Sequence, residues 1–424
     1  ENNGVWNVVK AAAKIGKQGY ATVDAAIKAA QAGETVIIFE GTYKVPAMKA
    51  GITVEGEGEV LLEGTLSGTL ENLTLKNLHI KGGNAQRYAY AKGKLVFENV
   101  TFEATSVYAL HFDGITEGTD LLYKNCTIIG WAAMGGSPAS CVFDGCTIKD
   151  NGTYGVIRTY FDATINNCTF DVANANTGDV YQDGIHAVGG AKIAVNGCTN
   201  VNGEMKDLVN VNGASVVTVD GVEFKNAAKI GDNYYATLAE AFAAAGDGAN
   251  KTVELIADVD LAGAEWTPVT FNGVFDGQNH TISNLVVNGA GKSNQGFFAQ
   301  TDNGEIKNVT FENAKVTGRL NVGVVAGTPY TSKYTNVKVT GHVEVNGMAY
   351  VGGVGGKNAY ANWTDITVDV DETSYVKATS TENGTAYRTY VGGVIGFNGE
   401  GNHTFQNISS NIKVIGDVMD IGGI

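Results

Sequence analysis

Nine residues in the first half of the chain have types and spacing that point to chemistry: His111, Asp113, Trp131, Tyr154, Arg158, Tyr160, Asp162, Asp183 and His186. Carboxylates and imidazoles hydrogen-bond sugar hydroxyls, and aromatic rings stack on the apolar face of a sugar. Most of these residues fall in three short segments: Tyr108-Ala-Leu-His111-Phe-Asp113, Gly155-Val-Ile-Arg158-Thr-Tyr160 and Asp183-Gly-Ile-His186. If those segments stack as one strand face, acids, imidazoles and rings gather on one side of the molecule. That arrangement suits glycan binding. Glycoside hydrolysis asks for more, two carboxyl groups about 5–9.5 Å apart across the scissile bond. Asp162 and Asp183 on neighbouring coils are the pair to supply it. No paired-aspartate or Arg-x-Lys signature accompanies them, so no residue is assigned a catalytic role.

Other chemistries find less support. The five cysteines are Cys126, Cys141, Cys146, Cys168 and Cys198. Their odd number argues against a complete disulfide framework, and no C-x-x-C pair suggests zinc. Asp258-Val-Asp260 and Asp369-Val-Asp-Glu372 are the calcium carboxylates to consider, but they lack the spacing of a D-x-[DN]-x-[DN]-G loop. No cofactor is expected. The net charge is −15, and only Arg87, Arg158, Arg319 and Arg388 are arginine. Phosphate backbones need clustered Lys and Arg, so nucleic acid is not an expected partner. No apolar run approaches the ~20 residues of a membrane helix.

What must position the candidate residues is a repeat. Glycine is abundant at 57 residues and proline scarce at 4, while hydrophobic residues remain at 44%, enough for a large core. A pattern of alternating apolar residues, then Asn or Gly, then another apolar residue recurs with marks at Leu78, Val100, Cys126, Cys146, Cys168, Cys198 and Val222. Asn or Gly at the bend tolerates positive φ, and the flanking residues alternate as strands do. Units of 20–30 residues that cannot bury a face alone stack as coils, each strand pairing in parallel with its copy about 4.8 Å away. The four cysteines in this register then stack inside, and Asn77, Asn99, Asn125 and Asn167 form a ladder at one corner.

A second array carries marks at Leu285, Val309, Val337, Ile366 and Ile408, with added glycine-rich strands such as Val351-Gly-Gly-Val-Gly-Gly356 and Val391-Gly-Gly-Val-Ile-Gly396. Each array is preceded by the same segment, Ala12-Ala-Lys-Ile-Gly16 with Tyr20-Ala-Thr22 and Ala227-Ala-Lys-Ile-Gly231 with Tyr235-Ala-Thr237. Each segment runs into an alanine-rich amphipathic stretch with Thr22 or Thr237 as N-cap. The expected fold is all-β: two tandem right-handed parallel β-helices, residues 1–226 and 227–424, each opened by a short capping helix. The last repeat, Ile421-Gly-Gly-Ile424, ends mid-copy, which leads to the expectation that the polypeptide continues. The start at Glu1 leads to that of a mature or trimmed N-terminus.

The stretches Tyr20-Ala-Thr-Val-Asp-Ala-Ala-Ile and Gly33-Glu-Thr-Val-Ile-Ile-Phe-Glu-Gly-Thr-Tyr43 resemble the N-terminal cap of pectate-lyase-like right-handed β-helices. Trp266-Thr-Pro-Val, followed by Phe271-Asn-Gly-Val-Phe-Asp-Gly, resembles the opening of a GLUG-repeat domain. The resemblance implies a segment of a large bacterial surface protein, secreted or cell-attached. Its expected function is that of a non-enzymatic stalk or adhesin, with glycans or surface proteins as partners. The alternatives are a carbohydrate-active enzyme or phage tailspike working in the lateral groove of the first array, and a self-associating surface-layer or filament subunit.

Overall fold

The computed structural model describes residues 10–173, 184–379, 381–382, 385–386, 388–399, 401–416 and 421–422. Asp183 lies outside them. The chain is all-β, with two short α-helices among the described residues. Its contacts divide it into two compact units, Glu1–Lys225 and Asn226–Ile424.

In the first unit, strands pair in parallel with their copies one coil on. One ladder runs His79, Thr101, Thr127, Thr147, Thr169 and Thr199. The residue before each of these points inward, so Leu78, Val100, Cys126, Cys146, Cys168 and Cys198 are all buried. Asn77, Asn99, Asn125 and Asn167 hold the preceding corner with φ between 51° and 54°. The Asn99 side-chain amide donates to Asn77 Oδ1 at 3.1 Å. Asparagine suits the corner twice, because it tolerates the left-handed backbone and its amide can hydrogen-bond an identical neighbour.

All five cysteines are free and buried. The thiols of Cys126 and Cys146 donate to the carbonyls of Phe97 and Tyr123 on the preceding coil, both at 3.3 Å. Burial pushes the Cys141 thiol up. Beside this column runs an aromatic stack. Tyr123 lies between Phe97 and Phe143, with ring centroids 4.9 and 4.7 Å away and planes within 17° and 8° of parallel.

The seventh mark is a correction. Val222 does not join the stack. Asp220 and Gly221 both take positive φ, 46° and 86°, and form a two-residue turn. Val222–Lys225 then runs back antiparallel along Val216–Val219, and Val222 is 61% exposed. Two successive positive φ values match the twist of a hairpin rather than the bend of a coil.

At the N-terminal end, helix α1 (Val23–Ala29) starts at Thr22, whose hydroxyl accepts from Ala25 N–H. It buries Val23, Ala26 and Ile27 in the core of the first unit. Ala13–Ile15 pairs antiparallel with both Gln18–Tyr20 and Thr35–Lys44. The second unit repeats this opening. Helix α2 (Leu238–Ala245) has a capping box of Thr237 and Glu240, and Ala228–Ile230 pairs antiparallel with its two neighbours. Phe242 of α2 lies 5.3–6.2 Å from the rings of Phe271, Phe275, Phe297, Phe298 and Trp266.

The second unit also stacks in parallel. Val309, Val337, Ile366 and Ile408 are successive partners, with Asn308, Asn336, Asp365 and Asn407 at the corner before them. The first mark expected there, Leu285, belongs elsewhere. Ser283 pairs with Glu312, which places Asn284 opposite Asn313, at a second asparagine corner of the same coil. The Asn308 corner is preceded instead by the Gln278–Asn279 turn, where the Asn279 N–H donates to the Asn308 carbonyl and the Asn308 amide donates to Asp276. The glycine-rich segments form their own parallel sheet of Leu320–Gly323, Ala349–Gly352, Val391–Gly392 and Ile421–Gly422.

On this unit's surface His342 sits between two carboxylates, 3.2 Å from Glu344 Oε1 and 3.1 Å from Asp371 Oδ2. The hydrogen bond to Glu344 and then the bond and charge of Asp371 raise its pKa above the ordinary histidine value. Lys315 faces the same Glu344 at 2.9 Å. Asp371 is lowered to about 2, first by the Thr373 hydroxyl. A proton held more tightly in the folded state stabilises fully below the ordinary histidine pKa, and that contribution is lost as pH rises through the raised value. The lowered Asp371 acts oppositely, stabilising above the ordinary aspartate range and losing its contribution as pH falls toward about 2. His342→Gln is therefore expected to lower the melting temperature more at about pH 5.5 than at about pH 8, either side of the ordinary histidine pKa. An NMR titration that placed His342 at or below that ordinary value would overturn this.

Candidate functional site

The three segments singled out from the sequence do stack. His111 pairs with Ala133, Ala133 with Arg158, Arg158 with His186, and His186 with Asn210. This column alternates with Leu110, Ala132, Ile157 and Ile185, all buried. It forms the outward side of the sheet over its first coils. His186 departs from expectation. Every residue of its strand, Ile185–Ala187, is buried and its own exposure is 2%, so it offers no ring to a ligand on that face.

Beside the column stands a row of aromatic rings. Tyr108 pairs with Trp131 across one coil at 5.1 Å, and Trp131 stacks on Tyr154 at 5.7 Å and 16°. Their spacing in the chain is 23 residues at each step. Tyr108 also lies 4.4 Å from the His111 ring. The Arg87 guanidinium sits 5.2 Å above Tyr108, and Arg158 sits 5.1 Å from Tyr160. Tyr108 and Arg87 were not among the expected site residues. The equal spacing of Tyr108, Trp131 and Tyr154 was the signal for the first. Nothing in the sequence marks the second.

The row is held by polar anchors. Asn151 donates from its side chain to the carbonyls of Ala104 and Ser106, at 3.0 and 3.1 Å. Its Oδ1 accepts from the backbone N–H groups of Thr153 and Tyr154. The loop that carries Tyr154 is thus tied to the coils beneath it. Tyr108 is fixed through its N–H, which donates to Asn84 Oδ1 at 3.0 Å. Such fastening spares a ligand the cost of ordering the rings.

The carboxylates separate. Asp113 stays with the row, its Oδ1 3.6 Å from His111 Nδ1. Burial nevertheless holds the His111 imidazole below the ordinary histidine value, against the pull of Asp113 and with added push from Arg87. Asp162 is used elsewhere. It accepts from Lys192 N–H at 2.8 Å and lines a different groove, with Ser140 and Thr164. A further open groove of about 650 Å³ has Glu40, Glu59, Asn77 and His79 in its lining. His79 is engaged there by Glu103 at 2.8 Å.

The calcium candidates are occupied by protein donors. Asp258 accepts from Thr281 N–H, and Asp260 from Ala262 N–H and Asn284. Asp369 accepts from Asn411, and Asp371 from Thr373 and Ser374. Among the described residues no three His, Cys, Asp or Glu side chains converge as a metal site.

Parallel pairing at one-coil intervals through the first unit agrees with what the family comparison finds there. Residues 50–226 match the right-handed beta helix region family. This β-helix carries the aromatic row and the His111 column. Over 123 residues the chain is 37% identical to halomucin of Haloquadratum walsbyi, a match covering 25% of this chain and 1% of that protein. The chain thus spans about a hundredth of that relative's length. Among solved structures, the A-module of the mannuronan C-5 epimerase AlgE6 of Azotobacter vinelandii aligns over 95% of this chain and 94% of its own, at 12% identity and a TM-score of 0.24. No helix among the described residues is long and apolar enough to cross a membrane.

Proposed function

We propose that the chain is a non-enzymatic, extracellular segment of a surface protein, and that the first β-helix binds glycans on its lateral face. The observation that carries this reading is the pinned row Tyr108–Trp131–Tyr154, flanked by Arg87, His111 and Asp113. The stacked rings form an apolar strip running along the coils for successive sugar units to lie against, and the polar groups beside them meet hydroxyls. The 37% identity to halomucin over 123 residues, a protein whose name is that of a mucin, supports the location. On this reading both units are right-handed β-helices, the second of GLUG type, and α1 and α2 cap them. Each helix covers the first coil and so shields an edge that would otherwise pair with another chain.

A screen of the whole chain against neutral and acidic polysaccharides, with product analysis on every hit, tests this. Binding without cleavage is expected, and Trp131→Ala is expected to weaken it at least about tenfold, as loss of a central aromatic anchor does. Cleavage of any polymer would turn the reading to a carbohydrate-active enzyme. Ordered self-association without glycan binding would turn it to an assembling subunit.

A further inference from the structure

We infer that the second unit carries a separate binding site for an acidic sugar, built from Tyr350, Tyr390, Phe397, Lys357 and Arg388. The register shows that this cluster replaces something else. Gln295 pairs with Val322, Val322 with Val351, and Val351 with Val391. The column one residue earlier therefore reads Asn294, Asn321, Tyr350, Tyr390. The first three take φ of 58°, 57° and 58°. Asparagine is at ease in that left-handed conformation, and Asn321 donates to Asn294 Oδ1. Tyrosine is not at ease there, since a bulky residue at positive φ is an outlier. A third asparagine would extend the ladder at less strain. Tyrosine at position 350 thus carries a backbone cost that the stacking of coils does not require.

What the tyrosines add is an aromatic surface. The Tyr350 and Tyr390 rings stack at 5.4 Å and 7°, and the Phe397 ring meets them edge-on at 5.2 and 4.8 Å. All three are half-buried. Two cations flank the rings. Lys357, which pairs with Phe397 across the sheet, holds its ammonium 5.7 Å from the Tyr350 centroid. Arg388 donates from Nη1 to the Tyr390 hydroxyl at 3.5 Å.

Rings take the C–H face of a pyranose, and a guanidinium and an ammonium beside them take a carboxylate. A uronic acid unit presents both. Single-stranded nucleic acid uses the same two contacts, but it needs a basic track along its backbone, and the cations at these rings are Lys357 and Arg388.

The test titrates the full chain with trigalacturonate, maltotriose and an oligothymidylate, followed by saturation-transfer NMR. Trigalacturonate is expected to bind at least about tenfold more tightly than maltotriose, the ratio that one charge-assisted contact supplies. Tyr350→Asn restores the residue type of the column, so the melting temperature should hold or rise while trigalacturonate binding falls at least about tenfold. Lys357→Glu leaves the rings in place and should weaken binding similarly. The same titrations in a Trp131→Ala background remove any binding by the row on the first β-helix, so that the loss in Tyr350→Asn is read at this site and is separated from the one proposed on the first β-helix. Undiminished binding in Tyr350→Asn, equal affinity for maltotriose, or a preference for oligothymidylate would each overturn the inference.

Discussion

Tyr123→Ala is expected to destabilise the first unit by about 3–5 kcal/mol, the range for deleting a large ring from a packed core. Tyr123 is fully buried between Phe97 and Phe143, and it also meets Phe102 edge-on at 6.4 Å. Its neighbours are strands locked by parallel pairing on both sides, Phe97 below and Phe143 above. Backbone fixed on both sides cannot collapse into the vacancy, which puts the cost at the upper part of the range. Tyr123→Phe separates packing from polarity. Among the described residues the hydroxyl donates to the thioether sulfur of Met134, at 3.8 Å, a weak acceptor. Its loss is expected to change stability by less than about 1 kcal/mol. Denaturant unfolding of both variants, read on the transition of the first unit, checks the pair. An alanine variant as stable as the parent would show that the stack is not the core it is taken to be.

Gly356→Ala is expected to destabilise the second unit by about 3 kcal/mol, the upper end for overpacking. A β-carbon there would stand 2.4 Å from the carbonyl carbon of Asn321 and from the nitrogen of Val322. Both are backbone atoms, so no rotamer change relieves the clash. The glycine allows its strand, Gly355–Asn358 of a separate five-stranded sheet, to approach Leu320–Gly323 to backbone contact. Lys357→Ala, one residue on, is the control. Its side chain points outward, so stability should stay within about 0.5 kcal/mol. Differential calorimetry of the two variants reads the contrast directly. Equal melting temperatures would mean that the close approach is not needed.

The coil was legible in the first unit because one position carries two demands. In the first unit the corner residue at positive φ is Asn or Gly and the residue after it is apolar, so the pair marks each coil from Asn77-Leu78 to Gly197-Cys198. Asp220-Gly221-Val222 shows the same residue types. It turns back because a second positive φ follows the first, a difference in backbone that a pattern of apolar residues does not register. Asn284 was misplaced for another reason. Coils of the second unit have two asparagine corners, and in the first coil His280 rather than an apolar residue follows Asn279, so the pattern picked out Asn284-Leu285 at the other corner.

The candidate site was legible as a set of types and only partly as a set of neighbours. Strand periodicity placed His111 and Arg158 in one column. It did not reveal that Asp162, at a turn, spends its carboxylate on Lys192 N–H, nor that His186 lies in a strand covered on both sides. In the second unit Tyr350 reads as an ordinary residue beside a glycine run. Only the register, with asparagines at the two preceding levels, makes it conspicuous.

The pairing of each strand with its copy one coil away has a mechanical meaning. From Leu78 to Cys198 the coils measure 22, 26, 20, 22 and 30 residues. Each coil is held chiefly by its two neighbours, with the Asn151 side chain as a tie reaching two coils back. A pull on the two ends of such a stack loads one terminal ladder at a time, so coils would peel off singly. Each would release about 65–105 Å of chain at roughly 3.4 Å per residue. A stack of this kind yields in steps under shear, and the coils still in place keep their rings and their ladders while the outermost ones give way.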